Sequence, residues 1–235
     1  MTLPPIPEGK TRLLLVEGSD DKMFFESLVA HLESKAQQLL DLTGFEVLPF
    51  GGAQNLVNSL ELLARDPRYD KVSHIGIVRD SDYNTDAFAS VCSAINRFNS
   101  QPPTTNLPVP REVFLPTDEY PRVSVLTMPL NSEGTLESVV LTALKDDAIM
   151  SCVNDYFTCI ENADIYTDLA ENRLPKSKLA VLIAGKSADR NSARVPDVKR
   201  RLLHNVYSMT WLPNDFWENE SFDDAKSFLT LLLAP

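Results

Sequence analysis

The order of apolar and polar positions along the chain predicts an alternating fold. Arg12–Val16 is an apolar run of the length of a buried strand, closed by Glu17 and Gly18. From Asp20 to about Leu42, Met23, Phe24, Leu28, Leu32, Leu39 and Leu42 recur at helical spacing, with Ser19 at the N-cap position. Phe45–Phe50 predicts a second strand. After the glycine turn 51–52 a helix is expected from about Gln54 to Arg65, striped by Leu56, Leu60 and Leu63 and stopped by Asp66-Pro67. Val72–Val78 predicts a third strand and Thr85–Phe98 a third helix. Strands that alternate with helices need crossover connections, so the expected class is α/β with an open, mostly parallel sheet flanked by helices.

The texture then changes. Asn99–Pro110 is rich in Pro, Asn and Thr and predicts a loop. Glu112–Leu115 and Arg122–Met128 read as short strands with "PTDEYP" between them. Beyond them the pattern is mainly helical: Thr135–Lys145, Asp147–Asn162, Lys176–Gly185, Val195–Asn205 and Asp223–Leu233. The expected division is an α/β core over residues 1–130 and a helical extension over 131–235 that packs on it, the two together forming one domain or nearly so.

Composition narrows the function classes. The chain has 235 residues, 43% of them hydrophobic, enough for a sizeable core. No apolar run reaches the roughly 18 residues that cross a bilayer, and "MTLPPIPEGK" lacks the form of a signal peptide. A cytoplasmic protein with no membrane partner is expected. Cys92, Cys152 and Cys159 form no disulfide framework or zinc knuckle; the last two, seven apart, read as small core residues. The net charge is −11. A nucleic acid partner would therefore need either a bridging divalent cation or a local basic patch. The one basic stretch is 185–201, with six cationic side chains against two anionic, a net +4. It reads either as a phosphate-backbone contact or as a solvated face paired with the acidic "NDFWENESFDD".

The candidate chemistry lies where apolar runs stop on acids. Glu17 ends the first strand, and "RDSD" places Asp80 and Asp82 at the end of the third. Ligands bind at the carboxyl ends of strands in open α/β sheets, so neighbouring strands would bring three carboxylates to one edge. Such carboxylates repel and raise one another's pKa unless a proton or a divalent cation intervenes. The spacing of Asp80 and Asp82 suits one Mg²⁺, with Mn²⁺ as the substitute. Residues two apart on an extended strand point to the same side. Glu17 is then either a ligand through water or a general acid or base. Gly51 and Gly52 before a helix read either as a phosphate cradle or as a plain turn, with Asn55 in the same mouth. Gly18, Asp21 and Lys22 are further candidate phosphate or substrate contacts. "AVLIAGKS" lacks the first glycine of a P-loop, so no nucleotide site is expected there. His74 reads as a satisfied residue within the sheet.

"LLLVEGSDDK" followed by "IGIVRDSD" resembles the Toprim fold, the domain shared by topoisomerases, bacterial primases and OLD-type nucleases. There a glutamate-glycine follows the first strand and an Asp-x-Asp a later one, matched here by Glu17-Gly18 and by Asp80 and Asp82. Over about residues 10–145, "PFGGAQNL" and "RVSVLTMPLNSEGTLESVVL" add a closer resemblance to a stand-alone, Toprim-like family of unknown function. The resemblance implies Mg²⁺-dependent phosphoryl transfer on nucleic acid, with Glu17 as general acid or base and Asp80 and Asp82 as metal ligands. Many members carry a third acid where this chain has Asn84. Glu137 is either the replacement carboxylate or a first-turn helix charge. The length leaves no room for a topoisomerase's tyrosine domain, and the cysteines exclude a primase's zinc module. The expected activity is nuclease-like. The alternative is a non-catalytic module that binds a metal or a protein partner.

Overall fold

The computed structural model describes residues 3–35, 42–82, 86–101, 105–130, 132–163, 173–187, 212–213 and 215–234. Among these, β1 (Arg12–Val16), α1 (Ser19–Lys35), β2 (Phe45–Pro49), α2 (Leu56–Arg65), β3 (His74–Asp80), α3 (Ala87–Asn99) and β4 (Arg122–Met128) alternate in chain order. Four helices follow among the described residues: α4 (Leu136–Ala143), α5 (Met150–Asn162), α6 (Leu174–Ser187) and α7 (Asp223–Leu233). The strands form one sheet in the order β2-β1-β3-β4, and every pairing is parallel. The fold is α/β with a helical C-terminal region. No described helix is long and apolar enough to cross a membrane.

Both sheet faces are covered, which is why the strands are apolar runs without polar alternation. Leu13, Leu15, Ile75, Ile77, Val123 and Val125 face α2 and α3. Leu14, Val16, Val78, Leu126 and Met128 face the opposite way, in one cluster with buried residues of α1 and α4 to α7. Gly76 lies on this second face under α7. A Cβ there would stand 3.0 Å from Leu14 and Leu232 and 3.3 Å from Phe228, so the missing side chain is what lets α7 lie against the sheet. Arg12 ties the same helix to β1. It is buried, and its Nη1 donates to the carbonyls of Leu233 (3.1 Å) and Ala234 (3.3 Å), a cation at the negative end of α7.

Four expectations need correction. The third strand runs two residues later than the apolar pattern suggests, because Arg79 and Asp80 still pair with Thr127 and Met128 of β4. Glu112–Leu115 is not a strand. Phe114 takes a positive φ of 78°, which breaks an extended run, and the segment touches β4 through the Phe114 N–H to Val125 carbonyl bond. The first helix is described as far as Lys35, residues 36–41 lie outside the described part, and Leu42 is no longer helical. Cys152 and Cys159 are exposed, not core, because α5 turns Met150, Val153 and Phe157 inward instead. The helix expected at Val195–Asn205 lies outside the described residues, as does the basic stretch beyond Ser187.

Candidate functional site

Strands β1 and β3 are direct neighbours, so Glu17 and Asp80 do meet at one sheet edge. Strand parity sends the last two side chains of β3 to different sides. Arg79 points towards α3, where its Nη1 donates to Ser90 Oγ, and its Nε lies 3.5 Å from Glu17 Oε1. Asp80 points the other way, towards α4, where its Oδ1 accepts the Leu136 N–H at 3.0 Å. That bond joins the strand end to the start of α4, where Ser138 Oγ accepts the Thr135 N–H at 3.3 Å. This start places Glu137 in the first turn of α4, 5% exposed. Asp21, in the first turn of α1, folds back so that its Oδ2 accepts the Gly18 N–H at 2.8 Å.

Asp80, Asp21 and Glu137 therefore come from three elements to one place. The Asp80 carboxyl is pushed well above its ordinary value, first by burial, then by Asp21, Glu137 and Glu17. Asp21 is raised to about 6 by burial and then by Glu137. Glu17 is raised to about 7, by burial first and then Asp21; Arg79 opposes the rise and Asp82 adds to it. Lys176 of α6 answers this charge. Its Nζ lies 3.5 Å from Glu137 Oε1, and Glu137, Asp80 and Asp21, in that order, raise its pKa against the effect of burial. Glu137 Oε2 is buried without a hydrogen-bond partner.

Asp82 lies beyond the strand. Its φ is 47°, and its carbonyl accepts the Gly134 N–H at 2.7 Å. The same-side inference for Asp80 and Asp82 fails, since it assumed extended backbone at both. Asn84 lies outside the described residues. The glycine candidates are spent on internal bonds. The N–H groups of Gly51 and Gly52 both donate to the Glu17 carbonyl, at 2.8 and 2.9 Å, and that of Gly18 to Asp21. They form a turn that clamps the end of β1, not a phosphate cradle. Asn55 Nδ2 donates to the Gly51 carbonyl. Lys22 turns to β2, bonding the Val47 carbonyl at 2.9 Å and Glu46 at 3.3 Å. His74 is buried and hydrogen-bonded to Ser124 Oγ at 3.0 Å, with a pKa lowered to about 4 by burial and then Arg122.

Sequence reasoning missed Arg79 and Lys176 and gave Asp21 the wrong surroundings. Arg79 was legible as the charge inside "VRDSD"; Lys176 carries no local signal, because only the docking of α6 on α4 brings it near. Among the described residues no group of three or more His, Cys, Asp or Glu side chains is arranged to hold a metal ion. The donors nonetheless suit a hard cation. They are all carboxylate oxygens, one of them buried and unpartnered, and Mg²⁺ commonly takes only one or two protein carboxylates with water and substrate phosphate. A cleft of about 420 Å³ between Asn106–Val109 and Leu115–Tyr120 shares no residue with this cluster, and the charged residues lining it are exposed.

The model of one protein family, described as "Protein of unknown function (DUF3226)", matches residues 11–205. No curated protein and no solved structure matches the chain.

Proposed function

The chain belongs to the DUF3226 family of proteins of unknown function, and from that premise we propose a Toprim-like, Mg²⁺-dependent phosphoryl-transfer protein, nuclease-like, that acts on nucleic acid. The observation that carries this reading is the convergence of Asp80, Asp21 and Glu137 beside Glu17 at the carboxyl edge of adjacent parallel strands. Asp80 and Glu137 are the residues that would hold the cation, with water and substrate phosphate completing its shell. When bound it would neutralise charge developing on a phosphate and help a polyanion approach an acidic protein. Asp82 contributes through its field on Glu17.

Glu17 holds the proton. A carboxyl with a pKa near 7 is partly protonated at neutral pH, so it can take a proton from an attacking hydroxyl or return one to a leaving oxygen. Arg79, fixed by Ser90, orients it. With the glycine N–H groups spent, phosphate charge is met by the cation, by Arg79 or by the basic stretch that begins at Gly185.

The test is a cleavage screen on single- and double-stranded DNA and on RNA with Mg²⁺ and Mn²⁺. Cleavage should fall roughly 10²–10⁴-fold in Glu17→Gln, the usual worth of a general acid or base, and vanish in Asp80→Asn. One observation favours the second reading, a non-catalytic module that binds a metal or a partner: Arg79 and Lys176 already pair with Glu17 and Glu137. Metal binding without cleavage of any polymer would select it.

A further inference from the structure

Lys176 is in an odd place for a cation. It sits in the first turn of α6, which contains no acidic residue, and the helix dipole disfavours positive charge there. Its favourable surroundings come from other elements: Glu137 on α4, Asp80 on β3 and Asp21 on α1. The two partners of the ion pair differ in freedom. The Glu137 side chain is 6% exposed, the Lys176 side chain 55%. Helix α6 is held without the lysine, because Leu179, Leu182 and Ile183 are buried in the core shared with α4 and α5. The ammonium can therefore leave on its four-carbon stem while the helix stays. It also leaves the cluster incompletely satisfied, since it approaches Oε1 of Glu137 while buried Oε2 has no hydrogen-bond partner.

We propose that Lys176 is the built-in counter-ion of the carboxylate cluster, and that a divalent cation binds there by displacing its ammonium into solvent. The proposal rests on the metal reading above and adds its regulation. The resting site is closed by a tethered cation, and the metal-loaded site is reached only by competition with it. Carboxylates crowded at one place need a proton or a positive charge in either state, and Lys176 supplies the charge until a better ligand arrives.

The experiment is calorimetric titration of Mn²⁺ into the full chain as wild type, Lys176→Gln, Lys176→Arg and Asp80→Asn, with thermal unfolding of each in chelator. Removal of the competitor should tighten Mn²⁺ binding about tenfold in Lys176→Gln, the equivalent of 1.4 kcal/mol. Lys176→Arg should bind as wild type or more weakly. Without metal, Lys176→Gln should unfold at lower temperature, and adding Asp80→Asn should recover the loss. Wild-type binding that disappears in Asp80→Asn but is equal or weaker in Lys176→Gln overturns the proposal and leaves the metal reading standing. No Mn²⁺ binding by any folded variant removes the metal reading, and the competition with it.

Discussion

Glu17, Asp21 and Asp80 all hold their protons more tightly folded than unfolded, and this gives the residue scale a pH signature. The Glu17 carboxyl ionises near 4.5 in an unfolded chain and near 7 in the fold. Below the first value both states are protonated and its contribution to stability is whole. As pH rises through the second, the fold must ionise a buried group, a loss on the order of 3 kcal/mol. Asp21 and Asp80 shift in the same direction. His74 has the opposite sense: its folded pKa of about 4 lies below 6.5, so its contribution is whole above 6.5 and is lost as pH falls towards 4. The metal-free protein should therefore lose stability between pH 5 and 8. Asp80→Asn should be more stable than wild type at pH 7.5, by roughly 1–3 kcal/mol, as a buried carboxyl crowded by Asp21, Glu137 and Glu17 is removed. Urea midpoints measured across that range check both; a flat wild-type profile would contradict them. Much of this scale was readable in advance. An acid at the end of an apolar run is conspicuous, so Glu17 and Asp80 stood out. The partners that set their chemistry did not, since Arg79 is defined by strand parity and Lys176 by helix docking.

The elements follow hydrophobic period where one face is buried and stray where hydrogen bonding continues past it. Helix α7 was expected at its observed bounds, because its apolar stripe of Ala225, Phe228, Leu229, Leu232 and Leu233 runs its length. Strand β3 was expected to end at Val78, the last apolar residue, but backbone pairing with β4 carries it to Asp80. That shift decides the site: it puts Asp80 on the α4 side within the strand and leaves Asp82 beyond it at positive φ. Gly76 is the matching test of packing. Gly76→Ala has no backbone strain to overcome, yet its methyl would meet Leu14 and Leu232 at 3.0 Å. Destabilisation of about 1–3 kcal/mol is expected from overpacking, read as a lower urea midpoint with an unchanged slope. An unchanged midpoint would mean that α7 lifts from the sheet without cost.

For the whole molecule, the net charge of −11 makes any general cation stabilising, so the site must be separated from screening. At pH 7.5, Mg²⁺ should raise the melting temperature more than KCl of equal ionic strength, and the excess should vanish in Asp80→Asn. A ligand at 100 times its Kd stabilises by about 2.7 kcal/mol, enough to read in a thermal melt. Equal effects of the two salts would place Mg²⁺ at the surface alone. The amino-acid sequence by itself determined the class of fold and the edge where acids gather. Both depend on local period: apolar runs that must be buried on two faces, helices between them, and polar residues where each run ends. The tertiary structure alone decided which acids share a field. Asp21, Asp80 and Glu137 lie on three elements separated by up to 116 residues of chain, and Lys176 on a fourth. Their meeting depends on strand order, on the start of α4 and on the seat of α6, and these are packing outcomes that no local pattern encodes.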